Sequence, residues 1–235
     1  MGNSYFRFKQ FTVQQAGSAM KVCTDACVQG AFTAAFIKQE PRILDIGAGT
    51  GLLSLMLAQQ SHAVIDALEL DGSAFRQAEE NFKASPWHSR LHALHQDVQT
   101  YAPPAPYPFI ITNPPFYEND LKGPDSRRNA AMHATTLDYT ALLNAIRRLL
   151  TPDGRYSVLL PYEGFQRFRE MAEAAGYILQ ELLDVRQRPG YGFFRSIGIF
   201  GRGGETHVRE LTIQGAGVQY TPEFTALLKD YYLYL

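Results

Sequence analysis

The sequence predicts an α/β fold with a mostly parallel central sheet and antiparallel strands at its C-terminal edge. Three observations carry this. From Pro41 onward, short apolar runs alternate with helical periods, which is the pattern of strands joined by crossover helices. Spaced glycines, Gly47, Gly49 and Gly51, separate the first such strand from the helix after it. Beyond Gly176 the helical signals give way to successive strands.

In chain order, residues 1–40 read as a cover segment with an amphipathic helix over Asp25–Lys38, capped by Thr24 or Asp25. The core, 41–177, begins with a strand at Arg42–Ile46 and a helix at Gly51–Gln60. A strand at Ala63–Leu70 and a helix at Gly72–Lys83 follow, then strands at Leu91–His95 and Phe109–Thr112 on either side of a Pro-rich loop. A helix at Thr136–Leu150 stops at Pro152 and Gly154, because proline cannot continue it. A strand at Arg155–Leu160 and a helix at Gly164–Ala175 complete the alternation. The tail, 178–235, holds strands at Ile178–Arg188, Phe193–Gly201 and Val208–Gln214, and a terminal helix at Pro222–Tyr232. Nothing between these parts reads as a linker, so one domain over 1–235 is expected.

Composition narrows the function. The chain has 235 residues, enough for one sizeable core. No apolar run reaches the length of about 18 residues that spans a bilayer, and the N-terminus lacks a signal-peptide apolar core. A cytoplasmic protein without a membrane segment is expected. Cys23 and Cys27 are the only cysteines, and the histidines are scattered, so a metal site is not expected. His92 and His95 fall on opposite faces of their strand. The net charge of −1 excludes a globally basic nucleic-acid binder and leaves local patches as the route to RNA. Arg186, Arg188, Arg195 and Arg202 lie between Asp184 and Glu205 with no acid among them. Lys9 and Lys21 lie near the N-terminus, and Arg127 and Arg128 follow residue 116 closely.

The glycines belong to Asp45-x-Gly47-x-Gly49-x-Gly51, a strand-to-helix turn that lets the backbone approach a ligand. Leu52 occupies the place of the third glycine of a dinucleotide fingerprint, and no Lys-Ser/Thr follows as in a phosphate loop. Glu69, at the tip of the second strand, is placed to accept hydrogen bonds from ribose hydroxyls. Asp71 suits a helix cap. Asp97, after the third strand, suits either an adenine amino group of the cofactor or a capped turn.

The strand at Phe109–Thr112 runs into Asn113-Pro114-Pro115-Phe116. The prolines stiffen the backbone and remove two amide donors, leaving the Pro114 carbonyl free to accept beside the Asn113 side-chain oxygen. A flat ring can lie against Phe116. An exocyclic amino nitrogen is a poor nucleophile because its lone pair is delocalised into the ring. Two acceptors on its hydrogens favour a pyramidal nitrogen, through orientation and electrostatics rather than proton abstraction.

Over Ile43–Leu160 these features resemble the class I, Rossmann-like S-adenosylmethionine-dependent methyltransferases. The resemblance implies S-adenosylmethionine as cofactor and an adenine, guanine or glutamine amide as acceptor. The segments Phe8-Lys9-Gln10-Phe11-Thr12-Val13 and Met20-Lys21-Val22-Cys23-Thr24-Asp25 further resemble the bacterial family that methylates adenine N6 in valine tRNA, 3′ of the anticodon. By that resemblance Thr24 and Asp25 approach the cofactor together with Asp45, the glycines, Glu69 and Asp97. Lys9, Lys21, Arg127, Arg128, Arg186, Arg188, Arg195 and Arg202 then grip RNA phosphates, with Lys21 alternatively meeting the methionine end of the cofactor. Met132 departs from the family pattern, in which a basic residue often stands. The partner is a tRNA, bound by a monomer or weak homodimer. The alternatives are methylation of glutamine in a release factor, of rRNA or DNA, or a non-catalytic S-adenosylmethionine-binding RNA module.

Overall fold

The computed structural model describes residues 3–17, 20–114 and 138–235. Pro115, Phe116, Arg127, Arg128 and Met132 lie outside the described residues.

The predicted alternation is present, with small shifts at the ends. Strand β3 (Arg42–Ile46) leads through the glycine turn to α2 (Leu52–Gln60), and β4 (Val64–Glu69) to α3 (Gly72–Lys83). β5 (Leu91–His95) and β6 (Tyr107–Thr112) follow, then α4 (Tyr139–Leu149), β7 (Leu150–Pro161) and α5 (Tyr162–Ala174). The tail supplies β8 (Ile178–Arg186), β9 (Phe193–Gly201), β10 (His207–Thr212) and α6 (Pro222–Leu228). The eight strands pair in the order β10-β8-β9-β7-β6-β3-β4-β5. The chain works outward from β3 to β5, then returns to β6 on the other side of β3. The topological switch therefore lies between β3 and β6, where open α/β sheets bind ligands beyond the carboxyl ends of their strands.

Apolar residues with a period of two feed two cores. Ile43, Ile65, Phe109, Ile111 and Ile199 face one side, with α2 and Phe82 of α3. Leu44, Ile46, Ile110, Val158 and Phe200 face the other, with α4 and α5. Such alternation is what a sheet covered on both faces requires.

The C-terminal edge differs from expectation in one strand. β9 is antiparallel to both neighbours, β7 and β8. The outermost strand, β10, is parallel to β8. The reason is connectivity: the turn at 187–192 reverses the chain from β8 into β9, and the link at 202–206 reverses it again. The second link crosses the start of β8, so β10 pairs beyond it and not with β9.

The cover segment also differs. β1 (Tyr5–Arg7) and β2 (Thr12–Gln14) form an antiparallel hairpin. The helix, α1, is shorter than expected, Thr24–Ala34, and is not amphipathic, since every residue from Ala26 to Ala34 is buried. It packs against α2 so closely that a Cβ on Gly30 would lie 2.7 Å from the Met56 sulfur. Its buried Thr33 pairs inside the protein, with Thr33 Oγ1 and Ser157 Oγ 2.8 Å apart. Cys23 holds the N-cap position without a side-chain cap, so neither Thr24 nor Asp25 caps this helix. The hairpin meets the C-terminal segment, where Phe8 bridges to Tyr232 and the Lys9 amide donates to the Tyr231 carbonyl at 2.8 Å.

Candidate active site

A cavity of about 640 Å³ opens at the switch point. Its walls come from the ends of β3, β4 and β6, the loop after β5, and the stretch Met20–Cys23 of the cover.

The glycine turn forms its floor. Gly47, Gly49 and Gly51 all have positive φ, at 73°, 57° and 79°, a conformation that side chains other than glycine rarely tolerate. A Cβ on Gly47 or Gly49 would meet nothing within 4 Å, whereas one on Gly51 would fall 2.4 Å from the Phe82 ring. The first two glycines thus leave room above the loop and the third permits packing below it. The loop amides are committed inward. Those of Gly47 and Ala48 both donate to the Leu68 carbonyl at 2.9 Å, tying the turn to β4.

Glu69 lines the cavity where predicted. Its two oxygens accept from the amides of Gly49 and Asp71, each at 2.8 Å. The carboxylate is locked in place, with a second acceptor site on each oxygen for a ligand hydroxyl. Asp71 caps α3, accepting from the Ser73 and Ala74 amides at 3.0 and 2.8 Å. Asp97 also lines the cavity and accepts from the Gln99 amide at 2.8 Å, so it both caps a turn and faces the site.

Four expected cofactor contacts, Gly51, Asp45, Thr24 and Asp25, are not in the wall, Gly51 because it packs below the loop. Asp45 is fully buried under the loop. Ser54 Oγ donates to its Oδ2 at 2.7 Å, and burial pushes its carboxyl up to about 7. Thr24 and Asp25 open α1, which turns them away from the cavity. Asp25 instead accepts from Arg195 Nε at 2.8 Å. The residues of that stretch that do reach the site are Met20, Lys21, Val22, Cys23 and Ala26. Met20, Lys21 and Val22 belong to the stretch that the resemblance set near the cofactor; Cys23 and Ala26 were missed, because neither residue type signals a ligand contact. Burial, reinforced by Asp25, pushes the Cys23 thiol up to about 12. It stays protonated, so no thiolate competes for an electrophile in the cavity.

Asn113 and Pro114 close the wall beside β6. Asn113 Oδ1 is buried and has no hydrogen-bond partner among the described residues. Buried acceptors are rarely left so, and one on a residue that lines a cavity is suited to a donor on a ligand. The strand beneath is held firmly. Thr112 Oγ1 donates to the Ile46 carbonyl at 3.0 Å, across the switch point, and Gln29 Nε2 donates to the Thr112 carbonyl at 2.9 Å. Gln29 is fully buried and was not anticipated, because a lone polar residue on a helix carries no sign of what lies opposite.

Residues 29–159 match the methyltransferase small domain family. A tRNA1(Val) (adenine(37)-N6)-methyltransferase of Dyadobacter fermentans is 47% identical, over 98% of each chain. The enzyme of the same name from Tolumonas auensis is 41% identical, over 99% of this chain and 98% of that one. The chain belongs to this methyltransferase family. Among solved structures, a predicted O-methyltransferase from Agrobacterium tumefaciens superposes with a TM-score of 0.68 at 18% identity, covering 88% of this chain and 96% of that one. A putative class I S-adenosylmethionine-dependent methyltransferase from Listeria monocytogenes gives 0.61 at 14% identity, over 92% and 71%. At such identities they establish the fold.

In this methyltransferase the predicted basic residues do not form one patch. Register places Arg186, Arg188 and Arg195 at the rim that carries Asn113, since Thr112 pairs with Val158 and Pro161 with Arg195. Arg202 follows the far end of antiparallel β9, on the opposite edge. It donates to the Ala175 and Gly176 carbonyls, both at 3.3 Å, and covers the Tyr177 ring at 4.3 Å. Its role is to close the end of α5. Lys9 Nζ donates to the Lys229 carbonyl at 2.5 Å, away from the cavity wall. Lys21 lines the cavity and donates to the Gln15 carbonyl. Arg186 pairs with Glu210, and Arg195 with Asp25. His92 Nδ1 lies 2.9 Å from Asp66 and His95 Nε2 3.0 Å from the Leu70 carbonyl, both structural contacts. Among the described residues no cluster of metal-ligating side chains is present, and no helix is long and apolar enough to cross a membrane.

Proposed function

We propose that this protein transfers a methyl group from S-adenosylmethionine to the exocyclic N6 of adenine in tRNA. The adenine is that 3′ of the anticodon of valine tRNA, and the enzyme acts in the cytoplasm as a monomer or weak homodimer. One observation carries the chemistry: the buried Asn113 Oδ1, without a hydrogen-bond partner among the described residues, on a residue that lines a cavity built on Gly47 and Gly49. The names borne by the relatives support the acceptor and its position.

The cavity suits the cofactor. Open space over Gly47 and Gly49 admits a bulky ligand, and Glu69 offers oriented acceptors to ribose hydroxyls. Asp97 is at hand for the cofactor's adenine amino group. When bound, the cofactor supplies a methyl group already activated on a sulfonium. The protein then has to place the acceptor nitrogen in line and keep water out. Asn113 Oδ1 accepts one N6 hydrogen and the Pro114 carbonyl the other, and Phe116 covers the target ring. The target base leaves its stack in the anticodon loop to reach this pocket, which takes less unpairing than in a duplex.

The test is to incubate the protein with labelled S-adenosylmethionine and unmodified total tRNA, digest, and identify the modified nucleoside by mass spectrometry. N6-methyladenosine that disappears with Asn113→Ala, at unchanged cofactor affinity, is the expected result. Label on release-factor glutamine or rRNA, and none on tRNA, would overturn it.

A further inference from the structure

At the rim beyond Asn113 the ends of three adjacent strands carry planar side chains in series. Tyr162 follows the last residue of β7, the strand next to β6. Its ring is 5.5 Å from that of Phe193, at the start of β9. The Arg186 guanidinium, at the end of β8, lies 4.2 Å over the other neighbour's ring, Phe193. This row ends at the β8–β9 turn, where the Tyr191 amide donates to the Arg188 carbonyl at 3.2 Å. Tyr191 is 65% exposed, and glycines flank it whose added Cβ atoms would meet nothing within 4 Å. A large ring held out on a bare turn gains nothing for the core and is available to stack.

Charge separates the arginines of this rim. Arg186 and Arg195 are neutralised by carboxylates. Arg188 is steadied by a neutral group, Nε donating to Gln214 Oε1 at 3.1 Å, and no described carboxylate pairs with it. Strand spacing of about 4.8 Å puts Tyr162 one strand from the catalytic motif and Phe193 two. Rings beside an unneutralised guanidinium, leading away from a pocket, form the kind of track that holds single-stranded nucleic acid.

Building on the proposed tRNA reading, we infer that the β8–β9 turn is the RNA-holding element of this enzyme. Tyr191 stacks on an unpaired base next to the target adenine, and Arg188 contacts a phosphate there. Nucleotides of the anticodon loop, splayed when the target base leaves its stack, are the occupant.

The experiment uses the full chain and an unmodified valine tRNA transcript with 2-aminopurine next to the target adenine. Tyr191→Ala is expected to weaken tRNA binding about 10-fold and to abolish the quenching of 2-aminopurine. Tyr191→Phe keeps both, and neither change alters cofactor affinity. Arg188→Ala lowers the slope of log affinity against log salt by about one. Wild-type tRNA affinity and quenching in Tyr191→Ala would overturn the inference, as would equal losses of tRNA and cofactor binding. If the wild-type protein methylates tRNA while these variants match it, only the rim assignment fails. If the wild-type protein leaves tRNA unmethylated, the functional reading fails and takes the rim with it.

Discussion

Gly49 and Gly51 stand two residues apart and share a left-handed backbone, yet their surroundings differ. Alanine in that conformation costs about 1 kcal/mol. At Gly49 nothing further is added, because the space is open. Gly49→Ala is expected to fold with a melting temperature within a few degrees of wild type and to lose at least about 10-fold in cofactor affinity by calorimetry. At Gly51 the methyl collides with Phe82, and overpacking adds about 1–3 kcal/mol. Gly51→Ala is therefore expected to melt clearly lower than Gly49→Ala. Asp45 makes a pH prediction. Burial raises its folded carboxyl from 3.8 to about 7, so the folded state binds a proton that the unfolded chain releases. Its contribution to stability is full below about pH 4 and is lost as pH rises through about 7. Melting temperatures followed over that window should fall more steeply for wild type than for Asp45→Asn. At this scale the glycines, Glu69, Asp71 and Asp97 were legible, since each sits where a strand ends and backbone geometry limits the choice. Asp25 was not. Its partner, Arg195, is 170 positions away, and no local pattern reports such a pair.

On α3 a polar stripe recurs every four residues: Ser73, Gln77 and Asn81. All three grip the backbone of the cover. Ser73 Oγ donates to the Gly17 carbonyl at 2.8 Å, and the Gly17 amide donates to Gln77 Oε1 at 3.2 Å. Asn81 bonds both the amide and the carbonyl of Gln14, and its Nδ2 also reaches the Thr50 carbonyl at 2.8 Å. One side chain thus joins the cover to the glycine turn. Asn81→Ala is expected to weaken cofactor binding about 10-fold and to speed proteolysis within residues 3–17, while α3 itself persists. Unchanged proteolysis would contradict this. Elements of the parallel core were readable because apolar runs and helical periods are local. The hairpin β1–β2, the full burial of α1 and the parallel direction of β10 were not, because each depends on what the rest of the chain packs against it.

Across the whole molecule, the core on the α2 side of the sheet extends to where the N-terminal hairpin meets the C-terminal segment. Phe8 and Phe11 stack at 4.4 Å, Phe8 and Tyr232 lie 6.0 Å apart, and Tyr231 Oη donates to the Met56 carbonyl at 3.2 Å. Tyr232→Ala is expected to destabilise by about 3 kcal/mol in chemical denaturation, in the range of large-to-small core changes. At temperatures where the variant is still folded, its turnover should match wild type, because Tyr232 is absent from the cavity wall and the Lys9–Tyr231 backbone bond that anchors the cover is kept. The fold class was legible at this scale from the order of elements alone, whereas the closure between distant segments was not. That closure also sets a schedule. Residues 3–17 precede all of the sheet in the chain, but the segment they dock on comes only with residues 231 and 232. Until then the cover has half its footing, and the stretch that completes the cavity wall is unanchored. A chain truncated before residue 229 should therefore carry a formed sheet and bind cofactor poorly, although every residue of the cavity wall is present in it.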